Sequence, residues 1–226
     1  MAAGTGRRAG STYRRSSSGK RRGKSRRRRK RWSEGRVLRI LLSVIAVMCV
    51  LGFIHFRNLA DPARTRDLSD EVLAYQETVE KHALEEGIEE YTPYLMAIMQ
   101  VESQGKGSDV MQSSESLGLL PNSLGPEESI RQACFYFSTL LKIADKKECD
   151  LLSVIQAYNF GPGYLEYVAG KGGKHSRELA EEFSGERSSW NKTQYMNPIA
   201  IARNGGWRYT FGNMFYVDLV TQYLVL

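Results

Sequence analysis

No region of this sequence alternates convincingly between apolar and polar residues with period two, which excludes a sheet as its main architecture. Histidine is scarce. His55, His82 and His175 are scattered, with no ligand pairs among them, so a zinc site is excluded and neither metal nor cofactor is expected. Cysteine is equally scarce, and Cys49, Cys134 and Cys149 do not make a disulfide framework. Cys49 lies in an apolar run. Cys134 belongs early in a helix expected over residues 126–145, and Cys149 lies just past its end. The helix between them rises roughly 16 Å, whereas a disulfide tolerates Cα atoms about 7 Å apart. Acid is nearly missing from the N-terminus. Residues 1–39 hold 16 Lys/Arg and one acidic residue, Glu34, while residues 40–226 hold 16 Lys/Arg and 24 acids.

What is present divides along the same line. The arm, residues 1–36, is rich in Arg, Ser and Gly and nearly devoid of apolar residues before Trp32. It cannot bury a core, so disorder is expected there. Alone, the basic run over residues 20–31 suits nucleic acid. The next segment redirects that reading. Residues 37–56 form a 20-residue apolar run broken only by Arg39, Ser43 and His55, about the length that crosses a bilayer. Lys and Arg on its N-terminal side predict a single-pass membrane protein, arm in the cytoplasm and body outside, with no nucleic-acid partner. The arm then faces anionic lipid heads. A cleaved signal peptide is the alternative. The long basic arm and the poor small-x-small site Asn58-Leu59-Ala60 stand against it. Residues 57–67, with Asp61-Pro62, read as a linker, and residues 68–226 as one domain without repeats.

Within that domain the signals are helical. Ser69 can cap a helix running through Val72, Val79 and Leu84 to Gly87. Thr92-Pro93 reads as the start of the next, Thr as cap and Pro in the first turn, with Gly105 as its stop. Residues 103–125 lack clear periodicity, and such a stretch inside a compact domain is more often functional than idle. Pro126 opens a helix to Asp145, Asp150 caps one through Tyr158 that Gly161 ends, and residues 164–169 suit a short helix. Ser176 caps residues 177–183, and residues 214–224 carry Phe215, Leu219, Val220 and Tyr223 on one side of a last helix.

One residue in this frame carries chemistry. Leu95, Ile98, Met99 and Glu102 fall at i, i+3, i+4 and i+7 on one helical stripe. A carboxyl group ending an apolar face loses hydration, so its pKa rises and it can hold a proton near neutrality. That suits a general acid acting on an acetal oxygen. The competing reading is a helix-end Glu that bends out to water or caps a loop.

Three strings occur in order after that helix: Glu102-Ser103, Asp109-Val-Met-Gln-Ser-Ser-Glu-Ser116 and Gln156-Ala-Tyr-Asn-Phe-Gly-Pro-Gly163. The set resembles the lysozyme-like domain of family-1 lytic transglycosylases. Together with Trp207-Arg-Tyr-Thr-Phe-Gly-Asn-Met-Phe-Tyr-Val217 it is most similar to the pneumococcal vaccine antigen A-like and conjugative-element wall-lytic domains of Gram-positive bacteria. The resemblance spans residues 68–226. It implies a mainly α, goose-type lysozyme-like domain behind the membrane helix. It also implies a peptidoglycan lytic transglycosylase that cuts between N-acetylmuramic acid and N-acetylglucosamine, leaving a 1,6-anhydro end. Glu102 would be the catalytic residue. Ser103, Gln112, Ser113, Tyr158 and Asn159 would bind substrate, with Tyr209 or Tyr223, of which Tyr223 is preferred, as a further cleft tyrosine.

The partners so implied are glycan strands, the membrane and a cell-wall, secretion or conjugation assembly. Asp109 replaces a common Gly in the Met-Gln string, which keeps a hydrolytic N-acetylmuramidase open; a catalytically silent glycan-binding wall module is the third reading. Trp190, Trp207, Tyr209 and Phe211 are either packing aromatics or sugar platforms, with packing preferred for Trp207.

Overall fold

A computed structural model describes residues 34–60 and 66–224. Most of the basic arm, five linker residues and the last two residues lie outside the described residues, so the disorder expected of the arm is not addressed. The first helix, α1 (Glu34–Ala60), contains the apolar run; residues 36–57 are long and apolar enough to cross a membrane. The rest of the described chain, residues 66–224, folds into a helical domain.

Its helices are α2 (Asp70–Leu73), α3 (Gln76–Glu85), α4 (Thr92–Glu102), α5 (Pro126–Lys146), α6 (Leu151–Phe160), α7 (Gly163–Ala169), α8 (Arg177–Arg187), α9 (Pro198–Asn204) and α10 (Tyr216–Thr221). Two three-residue strands, β1 (Lys192–Gln194) and β2 (Trp207–Tyr209), pair antiparallel with Lys192 opposite Tyr209. They are too short to show alternation in sequence. The mainly α architecture is as expected.

Helix α4 is the axis of the domain. It packs against α2, α3 and α10, and the run Leu95, Met96, Ala97, Ile98, Met99 and Gln100 is buried without a break. Burial on all sides explains why the expected stripe is embedded in an otherwise apolar helix. Helix α5 is amphipathic: Ile130, Ala133, Cys134, Phe137, Leu140 and Ala144 face α3 and α6. Glu128 in its first turn accepts from the Gly125 N–H at 3.0 Å, one half of a capping box. Helix α10 closes the core against α4 and α6.

Several boundaries differ from expectation. The helix begun at Ser69 is two, broken at Ala74 and Tyr75. Ser69 Oγ does cap α2, accepting from Val72 N at 3.4 Å. Thr92 is not a cap; a 3₁₀ turn over Glu89–Tyr91 leads directly into α4, and Tyr91 takes the cap position. Helix α9, capped by Asn197 through the Ile199 N–H, has no counterpart in the expected order. Cys134 and Cys149 are both free thiols.

Candidate active site

The carboxyl end of α4 presents Glu102, and the chain beyond it is built to stop there. Ser103 N–H donates to Met99 O at 3.0 Å, then Gln104 and Gly105 take positive φ of 59° and 72°. Gly105 also lies on α2: a Cβ there would stand 2.7 Å from the Glu71 carbonyl carbon. Ser103 Oγ donates to Val110 O at 2.6 Å and accepts from Gly105 N at 3.0 Å. Ser103 therefore fastens the loop after α4.

Asp109 organises that loop. It is 1% exposed, and four donors converge on its carboxylate. Oδ1 accepts from Ser113 N at 2.9 Å and Ser129 Oγ at 2.5 Å; Oδ2 accepts from Ser114 N at 3.1 Å and Ser114 Oγ at 2.5 Å. Burial pushes its pKa up, but the hydrogen bonds from Ser114, Ser129 and Ser113 outweigh burial and hold it below the ordinary carboxylate range. Asp109 is thus a charged anchor for residues 111–114. Ser129 relays the fastening to α5, since its Oγ also accepts from Met111 N at 2.9 Å.

Around Glu102 opens a cleft of about 360 Å³ lined by Gln112, Ser113, Glu115, Ser116, Tyr136, Tyr158, Asn159, Phe160, Gly161 and Phe211. Five expected site residues, Glu102, Gln112, Ser113, Tyr158 and Asn159, meet there. Gln112 holds φ of 47°, and its Nε2 donates to Asp109 O at 2.9 Å and Asn122 Oδ1 at 3.0 Å. Ser113 Oγ donates to Ser129 O at 2.9 Å. Tyr158 OH donates to Met111 O at 3.0 Å, which ties α6 to the loop. Asn159 Oδ1 accepts from Asn213 N at 2.7 Å.

Ser103 and Tyr223 are not among the residues that line this cleft; Tyr223 packs against the core beside α10. Tyr209 is buried edge-on to Trp207 and Trp190. The tyrosine that reaches the carboxylate is Tyr216, whose OH donates to Glu102 Oε1 at 2.5 Å. It lies inside the 207–217 string that carries part of the resemblance, but on the apolar side of α10, where a tyrosine reads as core, so nothing in the sequence singles it out. Tyr136, edge-on to Tyr158 at 5.6 Å, was likewise outside the expected set.

Burial pushes the Glu102 carboxyl from 4.5 up to about 7. The Tyr216 hydrogen bond pulls against burial, while the nearby charges of Asp109 and Glu115 add to it. Glu102 as a whole is only half-buried because it opens on the cleft. The arrangement is a carboxyl group divided between acid and base near neutrality, held by one phenol and faced by polar groups that can take a sugar.

A family model described as lysozyme-like matches residues 69–224. The chain is 34% identical to the uncharacterized membrane protein YocA of Bacillus subtilis, over 82% of this chain and 84% of that protein. It is 37% identical to the bifunctional muramidase/DL-endopeptidase CwlT of B. subtilis over 71% of this chain, which spans 44% of CwlT. A crystal structure of a Staphylococcus aureus protein described as similar to an NLP/P60-family lipoprotein superposes with a TM-score of 0.70. That protein is 57% identical, and the match covers 71% of this chain and 55% of that one.

Proposed function

The chain belongs to the lysozyme-like family, and from that membership we propose that it is a membrane-anchored peptidoglycan lytic transglycosylase. At the coarser level it is a cell-wall lytic glycosidase. The observation that carries the reading is Glu102, held by the Tyr216 hydroxyl at 2.5 Å and opening on a polar cleft, where burial pushes its carboxyl up to about 7. In its protonated form Glu102 donates to the glycosidic oxygen between N-acetylmuramic acid and N-acetylglucosamine. As the bond breaks, positive charge develops at the anomeric carbon. Glu102, now a carboxylate, takes the proton of the muramic 6-hydroxyl, and that oxygen closes the 1,6-anhydro ring. One group near 7 can serve both steps. Gln112, Ser113, Tyr158 and Asn159 hold the sugars, and Tyr216 holds Glu102. Asp109 is spoken for by its four hydrogen bonds and is not a partner in the chemistry. Helix α1 supports a membrane anchor, and the Lys and Arg on the N-terminal side of its apolar run support a domain outside the cell.

A second reading, hydrolysis by an N-acetylmuramidase, is favoured by one observation. Glu115 is exposed on the wall of the same cleft, where a carboxylate could direct water. CwlT, moreover, is named a muramidase. Mass spectrometry of muropeptides released by the full chain in detergent separates the two. Anhydro ends that vanish in Glu102→Gln support the transglycosylase. Reducing muramic ends, lost on Glu115→Gln, support the muramidase.

A further inference from the structure

Beside the cleft mouth the chain makes a loop whose side chains face the wrong way for a soluble enzyme. Glu115 and Ser116 line the cleft; the residues that follow read Leu117-Gly-Leu-Leu-Pro-Asn-Ser-Leu124, without a charge. Leu117, Leu119 and Leu120 are 51%, 44% and 80% exposed. Phe135, 52% exposed, lies on α5 one turn beyond Gln132, whose Nε2 donates to Ser116 Oγ at 2.9 Å. Contiguous exposed apolar side chains of this kind mark an interaction surface.

The loop is also built to keep them outside. Gly118 takes φ of 72° and donates to Glu115 O at 2.9 Å; Leu119 N donates to Ser114 O at 3.2 Å. Ser123 N donates to Ser114 Oγ at 3.1 Å, Ser123 Oγ to Leu120 O at 2.5 Å, and Gln112 ties Asn122. The loop thus hangs from the same Ser114 that Asp109 fixes.

Chain length says what is in reach. Residues 57–60 continue α1 and only residues 61–65 separate it from Arg66, so the domain starts at most about 30 Å beyond the apolar run. A domain of this size is itself roughly 40 Å across. The bilayer that α1 crosses is therefore a neighbour at high effective concentration. Charge says how it would be met. Residues 66–226 hold 23 acids and 14 Lys/Arg, so anionic lipid repels the domain as a whole and attachment has to come from apolar side chains.

We propose that the 117–124 loop is a membrane-contact element. Leu117, Leu119 and Leu120 seat in the interface of the bilayer that anchors the chain, and the cleft mouth is thereby held at the membrane surface. Resting on the glycosidase reading, the preferred substrate is then the membrane-proximal, lipid-attached end of a glycan strand in preference to strands deep in the wall.

The test uses the full chain in vesicles of phosphatidylethanolamine and phosphatidylglycerol, with and without lipids brominated along the acyl chain. Leu120→Trp should add tryptophan emission that is blue-shifted and at least twofold more quenched by brominated lipid than the emission added by Met196→Trp, a control at a second exposed apolar position, 63% exposed. The difference should persist in 0.5 M salt, because no charge takes part. Equal quenching of the two variants overturns the proposal. So does a blue shift of Leu120→Trp that follows protein density in the membrane without quenching, which assigns the loop to a second copy of this chain. In a second arm, Leu117→Ser/Leu119→Ser/Leu120→Ser should cut soluble glycan oligomers at the parent rate and vesicle-bound lipid-linked glycan about tenfold more slowly. Parent-like cutting of both by the triple variant overturns the substrate preference. Failure of the unaltered chain to cut either glycan overturns the glycosidase reading, while the quenching result still decides membrane contact.

Discussion

The Tyr216 hydroxyl donates to Glu102 Oε1 at 2.5 Å across 114 residues of chain. Helices α4 and α10 pack directly, so the contact is a product of core packing and is fixed as firmly as the core. Tyr216 is 1% exposed, and burial followed by the charge of Glu102 pushes its own pKa well above 10. It therefore remains a donor, and its bond favours the Glu102 carboxylate against the burial that favours the acid.

Tyr216→Phe removes that donor. The pKa of Glu102 should rise, and the alkaline limb of glycan cleavage should move upward from about 7. The rate constant should fall by roughly ten- to a hundredfold, since a hydrogen bond to a charged group is worth about 1.5–3 kcal/mol. A purely structural role would lower stability and leave the limb in place. A pH–rate profile beside a melting curve distinguishes the two.

Glu102 imposes a pH-dependent cost on folding, with a sign that follows from its raised pKa. Below about 4.5 the group is neutral whether the chain is folded or unfolded. Between about 4.5 and about 7 the unfolded chain ionises freely and the folded one does not, so stability declines across that window and then levels off. Glu102→Gln should therefore match the parent in unfolding free energy at pH 4 and exceed it at pH 8, by about 1–3 kcal/mol at about 1.4 kcal/mol per pKa unit, discounted because the group opens on solvent. The same variant should lose about 10²–10⁴-fold in glycan cleavage. Equal unfolding free energies at both pH values would show that the carboxyl is well solvated.

Asp109→Asn tests the anchor role. An amide cannot accept from all four donors, and its own N–H₂ would face hydrogen-bond donors. The variant should lose about 1–3 kcal/mol of stability, the cost of leaving buried polar groups unsatisfied. It also removes one of the charges that raise Glu102. The alkaline limb should shift downward, opposite to Tyr216→Phe, while folded protein still cuts glycan. Complete loss of cleavage in folded Asp109→Asn would make Asp109 a participant in the chemistry.

How much of this was legible follows from where each signal lies along the chain. Glu102 was visible because a carboxylate in the run Leu95, Ile98, Met99 is a local contradiction. Gln112, Ser113, Tyr158 and Asn159 were visible only as ordered strings, and the fold brings them to one cleft. Tyr216 lay within the 207–217 string, but nothing local marked it as a site residue. Its neighbours Phe215 and Val217 are buried, so its periodicity reads as packing, and its partner is 114 residues away. Ser103 is adjacent to Glu102 in sequence, yet its hydroxyl donates to Val110 O and it is not among the residues that line the cleft, a consequence of the loop that follows α4 and has no local sequence signal. Strands β1 and β2 escaped because three residues cannot show alternation.

The end of α4 supplies the last prediction. Gly105 and Gly107 both take positive φ, 72° and 85°. A Cβ at Gly107 would meet nothing within 4 Å, whereas one at Gly105 would stand 2.7 Å from Glu71 C and 2.8 Å from Val72 N. Gly107→Ala therefore carries only the backbone cost of a left-handed alanine, about 1 kcal/mol. Gly105→Ala carries that cost and also forces α2 away from the carboxyl end of α4. It should melt well below Gly107→Ala, by about 1–3 kcal/mol in the range of overpacked sites. Because Glu102 lies one turn before Gly105, its contact with Tyr216 should loosen as well, and cleavage should fall in Gly105→Ala and not in Gly107→Ala. Indistinguishable melting of the two alanine variants would mean that α2 does not brace the helix that carries Glu102.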